Sequence, residues 1–324
     1  MVIARRTQNA ERRPKNNYGR IGVLMGGPST EREISLKSGR AVFEALQNLG
    51  LDAVAVDIQT DDFSQNSRLL RTEGIQSAFI ALHGRFGEDG QIQEILDSLK
   101  IPYTGSGKLA SRLAMDKLAT RRILEVYGFP LARYAVIEKA VHNPNTSCLG
   151  EFTFPVVVKP ASHGSSIGLS IVEEKKALSQ AIESALNFDE KVIVEEYIKG
   201  REMTVGVLDD RALPVIEVIP KNRFFDYQAK YTAGLTEYMV PAKIDRSTAR
   251  RIQEVALKVH RLLGCYAYSR VDIILSEKDV AYVLEVNTIP GFTQTSLFPK
   301  AARVVGIDFS QLCLELIRLA HEKA

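Results

Sequence analysis

No stretch of this 324-residue chain is long and apolar enough to suggest a transmembrane span, and its first residues lack the apolar segment of a secretory signal. Cysteine is scarce. Cys148, Cys265 and Cys313 are odd in number, far apart and without metal-ligand spacing, which argues against a disulfide framework and suits a reducing cytoplasm. An excess of one charge is also missing. The net charge is +3, but the first 19 residues hold five Lys or Arg (Arg5, Arg6, Arg12, Arg13, Lys15) against one Glu, so the remainder is near −1 and offers no nucleic-acid footprint. That polar tail is expected to be disordered. The chain has no internal repeat at solenoid periods and no low-complexity segment. Gly-x-Gly-x-x-Gly is absent, and Gly105-Ser-Gly-Lys108 is followed by Leu109 with the wrong upstream glycine spacing for a P-loop. What remains is an ordinary soluble composition, 45% apolar and 25% charged, in a chain long enough for about two or three domains.

What is present centres on two apolar, β-branched runs, residues 268–275 and 281–291, parted by Ser276-Glu-Lys-Asp279. Strand alternation puts Arg270 with Asp272 on one face, and Glu285 with Asn287 on one face. A two-residue loop at Lys278-Asp279 sets Asp272 opposite Glu285 and Arg270 opposite Asn287; an odd loop sends the two pairs to opposite faces. The even register is the expectation. One sheet face then carries Asp, Glu, Asn and Arg among apolar neighbours, which is costly unless the charges are paired. Carboxylate and amide oxygens suit Mg²⁺, especially when phosphate oxygens complete its octahedron. A solvated hairpin face with an Arg–Asp pair is the alternative for these residues alone.

From the start, residues 20–27 form a buried strand running into Gly26-Gly27, and a helix follows from Pro28, with Thr30 and Glu33 spaced as a capping box. Ile34, Val42, Ala45, Leu46 and Leu49 mark its buried face and Gly50 its end. Glu31 either complements the helix dipole or holds a ligand at the strand's C-terminal mouth. Strands at 52–58 and 76–82, the glycine-containing loop His83–Gly90 and a helix at 91–99 complete an open α/β pattern to about residue 107. A helix is expected over 109–127, carrying Met115-Asp-Lys117. A strand at 154–159 ends in Lys159 and meets a Gly/Ser loop through Gly168, an arrangement that cradles anions or is merely a flexible hairpin loop. Residues 192–202 read as a strand and turn, followed by strands at 201–208 and 213–220. Residues 221–240, with Phe224, Phe225, Tyr227, Lys230, Tyr231 and Tyr238, have the look of a lid packed by its own side chains. Helices are expected at 249–263 and 309–321.

Several blocks, in order, make the chain from about residue 20 to its end resemble the D-alanine–D-alanine ligases of the ATP-grasp superfamily. They are Met25-Gly-Gly-Pro-Ser-Thr-Glu31-Arg-Glu-Ile-Ser35, Ala81–Gly90, Pro102-Tyr-Thr-Gly-Ser-Gly107, Met115-Asp-Lys117, Lys159-Pro-x-x-x-Gly-Ser-Ser-Ile-Gly168, Asp226-Tyr-x-x-Lys-Tyr231, Arg270-Val-Asp272 and Leu284-Glu-Val-Asn-Thr-Ile-Pro-Gly-Phe-Thr293. The resemblance implies a three-domain α/β fold with an α+β C-terminal part. After a basic tail (1–19) come an N-terminal open parallel-sheet domain (20–107), a central domain (108–196) and a catalytic domain (197–324) with its lid at 221–240, and ATP lies between two antiparallel sheets. By matching position it places two Mg²⁺, with Mn²⁺ as a substitute, on Asp272, Glu285 and Asn287. Lys117 and Lys159 meet ATP phosphates, Glu195, Tyr197 and Glu202 line the adenine–ribose pocket, and Lys230 reaches the transferring phosphate.

On the substrate side the resemblance implies a triad of Glu31, Ser165 and Tyr231, with Glu31 at the ammonium of the first D-alanine and His83 beside it. Arg270 and the Gly291 backbone stabilise the oxyanion, and Ser296 with Leu297 binds the second D-alanine's carboxylate. Tyr231 favours an amine over D-lactate as second substrate. The activity implied is ATP-dependent ligation of two D-alanine molecules for peptidoglycan precursors, by a cytoplasmic homodimer without nucleic-acid or membrane partners. Ile289 and Gln294-Thr295 depart from the family's usual residues near this site. Two rivals are another ATP-grasp carboxylate–amine ligase, with the same ATP site and a different acid, and a nucleotide-binding regulatory protein without turnover. The full set of acids and lysines argues against the second.

Overall fold

The structure, a computed structural model, describes residues 18–139, 152–162, 164, 167–220 and 236–323. The described residues fall into two compact units. One takes them from Met1–Gly87, Gln91–Gly105 and Gly291–Ala324; the other takes them from Glu88–Gly90 and Ser106–Pro290.

The first unit begins with β1 (Ile21–Gly26), α1 (Arg32–Asn48), β2 (Ala53–Ile58), α2 (Phe63–Thr72), β3 (Ser77–Ile80) and α3 (Gln91–Leu99). The strands form a parallel sheet in the order β2-β1-β3, extended by a parallel bridge from Ala78 to Tyr103. β1 is buried along its whole length, as expected of an apolar strand covered on both faces. The expected capping box at Thr30 is not the device used. Ser29 accepts from the Glu31 amide (3.1 Å) and its own carbonyl accepts from Arg32 (3.2 Å), so a turn precedes a helix whose N-cap, Glu31, makes no side-chain cap. The first turns of α1 bury Ser35, Ser38 and Gly39 rather than Ile34, because β1 comes so close that a Cβ on Gly39 would lie 2.4 Å from Met25 Cβ. The basic tail lies outside the described residues except at its end. There the Tyr18 carbonyl accepts from Ser77 Oγ at 2.8 Å, and the Tyr18 ring lies 5.2 Å from that of His321.

The second unit starts with α4 (Lys108–Met115) and α5 (Lys117–Val126). The single helix expected over 109–127 is therefore broken. Asp116 has extended backbone and caps α5, accepting from the amides of Leu118 (2.9 Å) and Ala119 (3.0 Å). Next come β4 (Tyr134–Glu138), β5 (Val156–Pro160), β6 (Ser170–Val172), α6 (Leu178–Leu186) and β7 (Lys191–Glu196). These strands form an antiparallel sheet ordered β4-β7-β5-β6. One face, with Val156, Val158, Val192 and Val194, packs with Leu178, Ile182 and Ala185 of α6. Alternation turns Val157, Lys159, Ile193 and Glu195 the other way.

β8 (Gly200–Leu208), β9 (Arg211–Ala212), β10 (Ile216–Pro220), β11 (Thr236–Met239), α7 (Arg246–Leu262), β12 (Tyr268–Ser276) and β13 (Ala281–Asn287) complete this unit. The sheet order is β11-β10-β8-β12-β13, with β9 on β8. Val205, Val207, Val271, Ile273 and Val283 pack against Ile252, Ala256 and Val259 of α7. Of the expected lid, 221–235 lies outside the described residues, while Thr236–Met239 is a regular strand paired with β10. Its alternate Thr and Tyr suit a pleated edge better than a self-packed loop.

The last helices, α8 (Leu297–Val304) and α9 (Phe309–Lys323), belong to the first unit, where Phe292 packs against Phe79, Phe298 and Phe309 with ring centroids 5.3–6.1 Å apart. No helix among the described residues is long and apolar enough to cross a membrane. The mixed α/β class, with one parallel and two antiparallel sheets, is the one expected from the sequence.

Candidate active site

The β12–β13 hairpin pairs Arg270 with Asn287 and Asp272 with Glu285, the pairing expected, but by a different route. The expected two-residue loop is not formed: the Ser276 amide donates to Val280 O (2.9 Å), leaving three residues, Glu277–Asp279, at the tip, with Asp279 at φ +61. An odd loop alone would set Asp272 against Leu284. A β-bulge corrects this, since Ile273 pairs with Val283 and Asp272 with Glu285, so that Leu284 is the surplus residue. Leu284 and Glu285 are accordingly half-buried in succession, where strict alternation would bury one of them.

The two acids are each met by a cation. Arg270 donates from Nε (2.9 Å) and Nη2 (2.7 Å) to the two oxygens of Asp272, and Thr204 Oγ1 adds a bond of 2.6 Å. Lys117, in the first turn of α5, lies 3.2 Å from Glu285. Asn287 Oδ1 accepts from the Ile289 amide at 2.9 Å. Among the described residues no group of three or more His, Cys, Asp or Glu is placed to hold a metal. The expected set is instead two carboxylates and one amide. All three are hard oxygen donors, and the carboxylates already sit where cationic groups approach, so the set fits Mg²⁺.

Facing them across a cavity of about 390 Å³ is the inner side of the four-stranded sheet. The cavity is lined by Lys117, Arg121, Lys159, Glu195, Tyr197, Glu202, Asp272 and Glu285, with apolar walls from Val157, Ile171, Ile274 and Leu284. Every nucleotide residue expected from the sequence and described in the structure therefore lines it. Lys159 Nζ donates to Glu195 Oε1 at 2.5 Å, and Arg121 Nη2 bonds Glu195 Oε2. Burial, with Arg121 and Lys117 close by, pulls the Lys159 ammonium well below its usual range. Burial also lowers Arg121 to about 10, which leaves it charged at neutral pH. At the other wall Arg201 grips Glu217 with two bonds of 2.7 and 2.6 Å.

The expected substrate residues of the first unit gather at the C-terminal end of the parallel sheet. Ser29 Oγ donates to His83 O (2.6 Å), which ties the Gly-rich turn to the His83 loop. Glu31 is buried with its carboxylate over Gly84; a Cβ there would lie 2.7 Å from Oε2, and Gly84 has φ +73. His83 Nε2 lies 2.9 Å from Ser38 Oγ, and Ser38 also accepts from the Phe292 amide at 3.3 Å, next to Gly291. Ser296 Oγ accepts from the Thr293 amide (3.0 Å), Leu297 begins α8, Ile289 is buried, and Gln294 and Thr295 are exposed. Ser165, Lys230 and Tyr231 lie outside the described residues. Sequence reasoning missed Arg121, Thr204, Ser38 and the Arg201–Glu217 pair. Only Arg121 carried a usable signal, its four-residue spacing from Lys117 on one helix face.

Comparison with known proteins decides the family. A profile described as "D-ala D-ala ligase C-terminus" matches residues 123–318, and one for the N-terminus matches 61–106. The D-alanine--D-alanine ligase of Geotalea uraniireducens is 45% identical over 306 residues, covering 94% of this chain and 96% of that one. This chain belongs to the D-alanine–D-alanine ligase family. A second such ligase, from Desulforudis audaxviator, is 46% identical over 308 residues, covering 94% and 99% of the two chains. Among solved structures, the family ligase from Bacillus anthracis complexed with ATP superposes with a TM-score of 0.83 at 33% identity, over 94% of this chain and 98% of that one. The VanG D-Ala:D-Ser ligase of Enterococcus faecalis gives 0.80 at 32%, over 93% and 99%. Lys117, Lys159, Asp272 and Glu285, which the sequence resemblance singles out, all line one cavity.

Proposed function

We propose that this chain joins two D-alanine molecules into D-alanyl-D-alanine, consuming ATP and releasing ADP and phosphate, in the supply of peptidoglycan precursors. The observation that carries this reading is the cavity on which two lysines and two facing acids meet, in a chain about 45% identical to D-alanine--D-alanine ligases along nearly its whole length. A carboxylate is a poor electrophile, so the first D-alanine is converted to D-alanyl phosphate by transfer from ATP. Lys117 and Lys159 neutralise the triphosphate, and Lys230 meets the transferring group. Glu195, Tyr197 and Glu202 receive the base and ribose. Asp272, Glu285 and Asn287 would hold Mg²⁺, or Mn²⁺ in its place, which supplies further charge neutralisation at the phosphates.

On the amino-acid side Glu31 takes the ammonium of the first D-alanine, with His83 beside it and Ser165 and Tyr231 completing the triad. The second D-alanine's amine attacks the acyl phosphate. Arg270 and the Gly291 amide stabilise the oxyanion that forms, and Ser296 with Leu297 holds the second carboxylate. Exclusion of water from the site protects the acyl phosphate. The division into domains at 20–107, 108–196 and 197–324, a homodimeric assembly and a cytoplasmic location belong to the same reading.

The test is an assay with ATP, Mg²⁺ and D-alanine, measuring phosphate and, by mass, the dipeptide. Equal amounts of both, with L-alanine inert, are expected. Phosphate without dipeptide would transfer the reading to another acid–amine pair. D-serine would be the first replacement amine, given the similarity to a D-Ala:D-Ser ligase.

A further inference from the structure

Arg121 is among the largest fully buried side chains of the described residues, and it has no part in the proposed chemistry. It sits one turn beyond Lys117 on α5, so both project from one helix face. Its Nη1 donates to Ala132 O at 3.2 Å, its Nη2 to Glu195, and its guanidinium lies 4.8 Å from the centre of the Tyr134 ring. Tyr134 and Val157 flank Glu195 in the sheet register, so ring, acid and arginine share the inner face. The second oxygen of Glu195 accepts from Lys159. Two cationic side chains thus share one buried anion, and when phosphates approach and favour the charged form of Lys159 the cluster presents one net positive charge to the cavity. Without Arg121, Glu195 and Lys159 would form a neutral pair.

We propose that Arg121 is a positioning and charge-compensating residue of the nucleotide site: it holds and neutralises Glu195, so that the charge of Lys159 stays available to the nucleotide's phosphates. Arginine suits this task because its guanidinium stays protonated when buried and binds a carboxylate while stacking on an aromatic ring. The proposal rests on the nucleotide reading of the cavity. It assigns Arg121 an effect on phosphates that it does not itself contact.

Calorimetric titration of the full chain with ATP, ADP and adenosine, in Mg²⁺ without D-alanine, separates the possibilities. Arg121→Met is expected to bind ATP about 10- to 100-fold more weakly, the loss of one charge-assisted interaction, with a smaller change for ADP and the smallest for adenosine, which meets the cluster only through Glu195. Arg121→Lys keeps the charge and should stay within about threefold of the parent chain. The deciding variant is Arg121→Met with Glu195→Gln, which removes both charges and restores the net charge of the cluster. It should bind ATP better than Arg121→Met alone. A purely structural role for Arg121 predicts the reverse, since two buried changes would weaken binding further. Unchanged ATP affinity in Arg121→Met, or no recovery in the double variant, would overturn the proposal. Failure of the parent chain to bind ATP would instead refute the nucleotide reading on which it stands.

Discussion

Replacing Asp116 by alanine tests whether the break between α4 and α5 is a property of the chain. Asp116 accepts from two backbone amides, at 2.9 and 3.0 Å, and has φ −83 and ψ +98, outside the helical region. Loss of such a cap costs about 1 kcal/mol, within a range of about 0.5–2. If the segment were one continuous helix, Asp116 would be an interior residue, and alanine would stabilise it by up to about 0.7 kcal/mol. The two geometries therefore predict opposite signs. A loss of about 1 kcal/mol in a unit of this size lowers the melting temperature by about 2–4 °C, readily resolved by calorimetry. Asp116→Asn, which keeps the acceptor, should lie close to the parent. Because Asp116 also starts the turn that carries Lys117 to Glu285, the alanine variant should raise KM for ATP more than KM for D-alanine. A rise in melting temperature with unchanged KM for ATP would refute the broken-helix account.

Three further expectations concern other parts of the molecule. Glu285→Ala leaves Lys117 without its acid and removes a metal donor; turnover should fall by more than about 100-fold, and full activity would contradict the metal assignment. Gly84→Ala puts a methyl against Glu31 at a left-handed φ; stability should drop by about 1–2 kcal/mol and KM for D-alanine rise about tenfold, with KM for ATP unchanged in initial-rate measurements. His260 is buried with Nδ1 2.7 Å from Ser269 Oγ, and burial lowers its pKa to about 4. The folded state thus resists the proton that the unfolded chain takes up near 6.5. This contribution is complete above about pH 6.5 and is lost as pH falls towards 4, by up to about 3 kcal/mol. Urea titrations over that range should show the slope in the parent and a flatter one in His260→Gln.

The three strands of the first unit with α1, α3 and α9, and the acid face of the hairpin, were legible in the sequence because apolar periodicity and chemically distinctive side chains carry them. What periodicity conveys poorly is a local irregularity. The helical pattern continues through Met115 and Lys117, so nothing in it marks the extended backbone at Asp116. The hairpin has the expected pairing without the expected even loop, since the odd loop and the bulge offset each other. The helices α2, α6 and α8 and the strand β4 went unread; α2 holds Gln, Asn, Ser and two Arg among its ten residues, which dilutes its apolar signal. Arg121 escaped for a further reason. A charged residue on a helix is ordinarily read as solvated, and only the fold shows that Glu195 and Tyr134 await it.

The surplus residue at Leu284 has a consequence for how this hairpin tolerates changes of length. Tyr282 and Val283 on one side, and Glu285 onward on the other, already hold partners that do not depend on it. Excising Leu284 would make the ladder regular without any pair changing partner, so a single-residue deletion here leaves Asp272 and Glu285 aligned. What it removes is a piece of the apolar wall directly beside an acid, a neighbour that a straight strand supplies only from two positions away. Length variation at this point is converted into a change of cavity shape rather than a change of register.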